Sequence, residues 1–291
     1  MAAGDKTITL TDGRTLAYTE HGDFSGRPVI FLHGNPGSRL MRHPDEGIAY
    51  SLGVRVITPD RPGYGLSDYQ PERTLLDMPD DIAQLADQLG LEKFAIFGVS
   101  AGGPYVAACA YKMPEYIGQA AIVSGAAPMN REGAYEGMND RMQAAFQMSA
   151  RYPVWLLQPL IALGTRMALR DPEKTLADTV ATLSQEDQQV LAQPAIRKQV
   201  MQYRAEATRN GVKGIVREAK ILVSPWGFPL EDIRPEVHLW YWEDDDSVPV
   251  QMGRYLEQRI PNAVPHFLPG GGHFSWVTFW REILEALVAD S

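Results

Sequence analysis

Cysteine is almost missing from the sequence: Cys109 is the only one in 291 residues. A single thiol excludes a disulfide framework within the chain. Its surroundings, YVAACAYKM, are apolar and contain no feature that marks a reactive thiol. Free cysteine in such a setting behaves as a small hydrophobic side chain, so we expect Cys109 to pack in the interior.

Runs of lysine and arginine are also missing, and the formal net charge is −9. An acidic chain repels the phosphate backbone of nucleic acids, so we expect no nucleic-acid partner. The longest acidic run, EDDD at residues 243–246, lacks the alternating ligand spacing of a calcium loop. We therefore expect neither a metal ion nor another cofactor.

Long hydrophobic runs are the third absence. No stretch reaches the ~18 consecutive apolar residues that a membrane-spanning helix needs. The first twenty residues lack the basic and then apolar segments of a secretory signal. We therefore expect a soluble, cytoplasmic chain. Apolar residues make up 45% and charged residues 22%, and this length suits one large domain or a core carrying an insertion.

The sequence does contain an alternation of two periodicities. TITL and RTLAYTE flank the turn signal TDG and predict an antiparallel hairpin. Continuous apolar runs, typical of strands buried on both faces, follow in PVIFLHG, GVRVITPD, KFAIFGVS and GQAAIVSG. Helical patterns lie between them in TLLDMPDDIAQLADQLG and AGGPYVAACAYKM. The alternation predicts an α/β fold with a mostly parallel central sheet and flanking helices.

This alternation stops in the middle of the chain. Between residues 127 and 235 we find helical patterns but no convincing buried strand. Strands resume in VHLWYWEDDD and AVPHFLPGGGH, and residues 276–288 have the single apolar face of one helix. We therefore predict a core in two parts, residues 1–126 and 236–291, separated by a helical cap insertion at residues 127–235.

The segment GVSAG places Ser100 between an apolar strand and a helix. A nucleophile elbow has this arrangement: a strained turn holds the serine at the start of a helix, where the backbone favours negative charge. The small residues Gly98 and Gly102 would allow strand and helix to approach closely. The pattern alone leaves open a serine that is merely small at a strand-to-helix turn.

A serine nucleophile needs a base, and the base needs an acid that orients it. Of the six histidines, His273 follows a strand and a glycine-rich loop, where its ring can reach the carboxyl edge of the sheet. We expect His21 and His43 on the surface, and His238 and His266 to pack or cap near strands. The acid is expected from EDDD, where Asp244, Asp245 and Asp246 all follow a strand.

The segments FLHGNPGS, DRPGYGLSD, GVSAGG, WEDDDSVP and GGGHF together resemble the α/β-hydrolase family with a helical cap, in that family's order. The resemblance covers the core and leaves the insertion uncovered. It implies a triad of Ser100, an aspartate and His273. The family pattern G-x-x-D-x-x-V-P selects Asp245, although Trp242 replaces its glycine, so Asp244 and Asp246 stay as alternatives.

The resemblance also implies roles around the triad. The backbone N–H groups of Asn35 and Ala101 would form the oxyanion hole, and His33 and the DRPGYGLSD loop would mainly shape the site. The insertion would roof it and select the substrate. Its methionine, leucine and aromatic residues should mostly pack, with a few facing the cavity: Met129, Met138, Met142, Phe146, Met148, Tyr152, Trp155, Leu156, Leu157 and Met167.

These observations predict a cofactor-independent serine hydrolase. Its substrate would be a small to medium, partly apolar carboxylester or lactone, cleaved through an acyl-enzyme on Ser100. Two alternatives stay open: hydrolysis of C–C or peptide bonds by the same residues, and a ligand receptor with little turnover. The sequence indicates a small-molecule partner and leaves the oligomeric state undetermined.

Overall fold

The structure is a computed structural model that describes residues 4–289. Eight strands in this part of the chain form one sheet. They are β1 (Lys6–Thr9), β2 (Thr15–Gly22), β3 (Arg27–Leu32), β4 (Val54–Pro59), β5 (Phe94–Val99), β6 (Ile117–Val123), β7 (Val237–Trp242) and β8 (Ala263–Leu268).

The strand order is β1-β2-β4-β3-β5-β6-β7-β8. The first two strands form the predicted antiparallel hairpin, and β2 is also antiparallel to β4. All the other pairings are parallel. The predicted fold class, a mostly parallel sheet with flanking helices, is confirmed.

The described helices flank the sheet and fill the connection between β6 and β7. They are α1 (Gly47–Ser51), α2 (Met78–Leu89), α3 (Gly103–Lys112), α4 (Asp140–Arg151), α5 (Val154–Ala168), α6 (Pro172–Val180), α7 (Gln185–Ala192), α8 (Pro194–Ala207), α9 (Lys213–Val223), α10 (Val250–Glu257), α11 (Ser275–Thr278) and α12 (Trp280–Val288). Short 3-10 turns lie at Leu75–Asp77, Ser100–Gly102 and Leu230–Asp232.

Two apolar layers cover the sheet. Helices α2, α3 and α10 pack on one face, and α1, α11 and α12 on the other. The central strand β5 is buried along its whole length, as its continuous apolar run predicts. On the second face Phe31 stacks on Phe97 with ring centroids 4.4 Å apart, and Trp280 packs edge-on against both rings.

Helices α4 to α9 lie between β6 and β7, where the helical insertion was predicted. The described residues between these two strands form no strand. The domain limits at residues 126/127 and 235/236 stay a prediction. Within the insertion, Leu157 of α5 packs against Val212 and Val216 in a small apolar cluster of its own.

Three local predictions are wrong. Residues 276–288 form two helices, α11 and α12, because the chain turns at Phe279, yet Trp276 and Trp280 still face the core. His21 lies in β2 and is buried, since it pairs with Val56 of β4 and the strand is covered by α1. Burial lowers the pKa of His21 to about 3. His43 is half-buried and stacks on Trp280.

Candidate active site

Ser100 lies at the sharp turn that joins β5 to α3. It begins the 3-10 turn Ser100–Gly102 and has a φ of +57°, in the left-handed region that side chains rarely adopt. Holding a serine there costs about 1–3 kcal/mol, which the surrounding structure must offset. This is the strained geometry that the GVSAG pattern predicts for a nucleophile elbow.

The glycines around Ser100 are required by close backbone contacts. A Cβ on Gly98 would lie 2.5 Å from the carbonyl carbon of Gly102. A Cβ on Gly102 would lie 2.1 Å from the carbonyl oxygen of Leu32 in β3. A side chain at either position would therefore push the turn away from the sheet and displace Ser100.

His273 is paired with Asp245. Its Nδ1 lies 2.9 Å from Asp245 Oδ2, and the side chain of Asp245 is buried. The other oxygen, Oδ1, accepts hydrogen bonds of 2.9 Å from the backbone N–H groups of Ser247 and Val248. These bonds fix the carboxylate, so it can orient the imidazole.

The neighbouring aspartates make different contacts. Asp244 is exposed, and Asp246 accepts a 3.0 Å hydrogen bond from the side-chain amide of Asn139. The structure therefore brings Asp245, the residue favoured by the sequence pattern, against His273. The difference arises because Asp245 alone of the three is turned inward at the end of β7.

The electrostatic environment favours a protonated His273. Burial opposes the imidazolium charge, but the negative charge of Asp245 and its hydrogen bond outweigh burial and raise the pKa of His273 above its usual value. The charge of Asp187 acts in the same direction. An imidazole in this setting can accept a proton from a neighbouring hydroxyl and hold it as a charged pair with Asp245.

Ser100, His273 and Asn35 line one cavity of about 50 Å³. Ala101 follows Ser100 in the turn and is buried. The structure thus brings the predicted nucleophile and base, together with one predicted oxyanion residue, to the same small space. The side-chain oxygen of Asn35 accepts a 3.0 Å hydrogen bond from the phenol of Tyr64.

His33 supports the loop beside this cavity. Its ring is fully buried, with Nδ1 2.8 Å from the Gly34 carbonyl oxygen and Nε2 accepting the Arg61 backbone N–H. Burial and the Arg61 charge hold the pKa of His33 well below its usual range. These contacts fit the predicted shaping role, and no residue of the DRPGYGLSD loop lines the cavity.

The cap side of the cavity differs from the prediction. Tyr203 and Arg204 of α8 line it, whereas none of the ten cap methionine, leucine and aromatic residues named from the sequence does. Several of those residues, Trp155 and Met167 among them, are exposed, and others such as Met138 pack in the core. Helical periodicity identifies an apolar face but not which helix crosses the site.

Asp187 of α7 is a further residue that the sequence did not reveal. Its two carboxylate oxygens accept hydrogen bonds from the backbone N–H groups of Phe274 at 2.6 Å and His273 at 2.9 Å. Ser184 caps the same helix by accepting the backbone N–H of Asp187, and the S-x-x-D spacing is typical of a helix start. Nothing in that spacing indicates that the carboxylate would bind the loop of His273.

Among residues 4–289, no group of three or more His, Cys, Asp or Glu side chains is arranged to hold a metal ion. No helix in this described part is long and apolar enough to cross a membrane.

A mostly parallel sheet with a strained serine at the carboxyl end of its central strand is the architecture of the α/β-hydrolases. The family model for the alpha/beta hydrolase fold matches residues 27–278, and the chain belongs to this family. Membership of the family supports an enzyme of the hydrolase class.

The similar proteins differ in the activity that their names state and in the share of this chain that they cover. A non-heme chloroperoxidase of Streptomyces lividans is 37% identical over 127 residues, which cover 42% of this chain and 45% of that protein. A 2-hydroxy-6-oxononadienedioate/2-hydroxy-6-oxononatrienedioate hydrolase of Paraburkholderia phymatum is 25% identical over 94% of this chain and 91% of that protein. The structure of an esterase from Exiguobacterium antarcticum superposes with a TM-score of 0.72 and 19% identity, covering 98% of both chains.

Proposed function

We propose that the protein is a serine hydrolase that cleaves a small to medium, partly apolar carboxylester or lactone. The observation that carries the proposal is the strained Ser100, which lines the same cavity as His273, itself 2.9 Å from Asp245. A serine, a base and an orienting acid are the three groups that acyl transfer without a cofactor requires.

In the proposed reaction, Ser100 Oγ attacks the acyl carbonyl while His273 takes its proton. Asp245 stabilises the resulting imidazolium. The backbone N–H groups of Asn35 and Ala101 donate to the oxyanion, a contribution of roughly 3–4 kcal/mol for each such donor in comparable enzymes. His273 then protonates the leaving oxygen, and the acyl group stays on Ser100.

The second half of the reaction uses the same groups. His273 removes a proton from water, the hydroxide attacks the acyl-enzyme, and Ser100 leaves with the proton returned by His273. The carboxylic acid is released and the enzyme is restored. The small size of the cavity at Ser100, about 50 Å³, suits the reacting carbonyl and little more.

The test is Ser100→Ala on a panel of carboxylesters and lactones under multiple turnover. We expect kcat to fall by about 10⁶ with folding intact, as for removal of the nucleophile in comparable triads. Ester hydrolysis that survives the substitution would refute the proposal. A wild-type protein that releases one equivalent of product and then stops would instead indicate a ligand receptor.

A second candidate function is hydrolysis of a dienedioate of the kind named for the Paraburkholderia phymatum relative. The observation that favours it is the alignment with that protein across 94% of this chain. Assaying 2-hydroxy-6-oxononadienedioate beside the esters separates the two, since the better substrate has the larger kcat/KM.

A further inference from the structure

A second cavity, of about 280 Å³, lies inside the cap. Pro36 and Arg204 line both this cap cavity and the small cavity at Ser100. The two spaces therefore share a wall at these residues, and we take the larger space as the place for the remainder of a substrate whose carbonyl sits at Ser100. This inference rests on the proposed function, because it concerns the substrate of the same site.

The walls of the cap cavity combine apolar side chains, such as Leu169, Leu176 and Met201, with four threonines. The charged side chains that line it are Arg141 and Arg204, and no aspartate or glutamate lines either cavity in the described chain. A site of this composition attracts a ligand with an apolar body and a negative charge, although the chain as a whole carries −9.

Arg204 differs from the other arginines near the boundary of cap and core. Arg39, Arg61 and Arg73 each pair with a buried carboxylate. Arg204 forms no ion pair with any residue in the part of the chain that the structure describes. Its guanidinium is hydrogen-bonded to the side chain of the neighbouring Tyr203, but its Nε is buried without a hydrogen-bond partner. A buried donor without a partner costs free energy, which a bound acceptor would recover.

We infer that Arg204 binds a carboxylate of the substrate at the junction of the two cavities. The substrate class is thus an ester or lactone whose acid or alcohol part also carries a carboxylate. Arginine suits this role because its planar fork donates two parallel hydrogen bonds to a carboxylate. Arg141, in the same cap cavity, adds positive charge beside the ligand.

The test compares two esters of equal chain length, methyl hydrogen glutarate and methyl valerate, by release of methanol. We expect wild-type protein to prefer the anionic ester. Arg204→Gln should lower kcat/KM for that ester by about 10- to 100-fold, mainly through KM, the range for a charge-assisted hydrogen bond. Methyl valerate has no carboxylate for Arg204 to bind, so its kcat/KM should fall much less than that of the anionic ester, and the ratio of the two kcat/KM values is the readout.

Two further variants serve as controls. Arg204→Lys keeps the charge and should restore part of the preference, since it lacks the fork. Lys198→Gln makes the same charge change on an exposed residue of α8 that lines neither cavity, and should leave the preference intact. If Arg204→Gln slows both esters equally, or if Lys198→Gln has the same effect as Arg204→Gln, the inference is wrong.

Failure of the proposed function is detected separately. In a Ser100→Ala background, titration with methyl hydrogen glutarate measures binding without hydrolysis. Weaker binding after adding Arg204→Gln supports the carboxylate subsite even if no ester is turned over. Equal binding by the Ser100→Ala variant and the Ser100→Ala, Arg204→Gln double variant overturns the carboxylate subsite, whatever the activity of the wild type.

Discussion

The sheet core and the cap bury apolar surface to very different extents. Strands β5 and β7 are buried along their whole length between two apolar layers. In the cap, by contrast, eight of the ten large apolar side chains exposed in the described chain lie between residues 148 and 169. Helix α5 buries the single residue Leu157 and leaves Trp155 75% exposed.

Carboxylates of the cap pair with arginines and backbone groups of the core. Glu218 of α9 lies 3.2 Å from Arg61 and 2.6 Å from Arg73, and all three side chains are buried. Glu206 of α8 pairs with Arg39 at 2.7 Å, and Asp187 holds the loop of His273. The comparison teaches that apolar packing continues from the core into part of the cap, where Leu176, Ile196 and Val200 join the apolar layer on one sheet face. The charged contacts add to this packing and help to position the cap over the site.

Among the substitutions considered, Asp245→Asn in the sheet core should have the largest effect on activity. The amide cannot hold the imidazole in the required tautomer or balance its charge, so kcat should fall by about 10⁴. Steady-state ester hydrolysis measures this. Asp244→Asn, an exposed neighbour, should keep near-wild-type activity. An equal fall in kcat for Asp245→Asn and Asp244→Asn would mean that Asp245 is not the residue that orients His273.

Glu218→Gln tests the attachment of the cap. It leaves Arg61 and Arg73 buried without their counter-charge, so the free energy of unfolding should fall by about 3–5 kcal/mol. Urea denaturation provides the value. Glu173→Gln removes an exposed ion pair with Arg197 and should cost less than about 1 kcal/mol. A loss as small as that control would show that the cap is not fixed by Glu218.

Asp187→Asn should act on catalysis more than on substrate binding. The amide oxygen can still accept one of the two backbone hydrogen bonds. The amide NH₂ group would face the other backbone N–H, and two donors cannot bond, so the loop that positions His273 is no longer held. We expect kcat to fall by about 10- to 100-fold, equivalent to losing one or two hydrogen bonds, with KM little changed.

The pH profile separates this effect from simple misfolding. Removing the Asp187 charge takes away support for the imidazolium, so the pKa of His273 falls. The neutral form of His273 is then present at lower pH, so the acid limb of the kcat/KM profile should shift to lower pH. Asp178→Asn, an exposed carboxylate of α6, makes the same charge change and should leave the limb in place. If the acid limb of kcat/KM does not shift in Asp187→Asn, the charge of Asp187 does not act on the pKa of His273.

Leu163→Ala should give the smallest effect. Its side chain is 59% exposed on α5, so the free energy of unfolding should change by less than about 0.5 kcal/mol. Ile96→Ala, in the fully buried β5, should cost about 2–5 kcal/mol. Thermal and urea unfolding of the matched pair provide the comparison. A large loss for Leu163→Ala would show that the outer face of α5 is covered in solution.

Much of the core was predictable from the sequence because its signals are local. Continuous apolar runs identified the buried strands, and GVSAG identified a strained turn that only small neighbours permit. The choice of Asp245 over its neighbours was not local: it came from the resemblance to the α/β-hydrolase family, through that family's V-P spacing. The end of the chain was less predictable, since an apolar face does not reveal the turn at Phe279 that divides α11 from α12.

The sequence by itself determined that a serine at the end of a buried strand would be followed by an aspartate and a histidine at later strand ends. Parallel strands bring their carboxyl ends to one edge, so these residues could be expected to meet. Only the tertiary structure decided that Asp187 holds the His273 loop and that Arg204 lies between two cavities. Those contacts join residues of the cap to distant parts of the core, and no local periodicity encodes the direction in which a cap helix crosses the site.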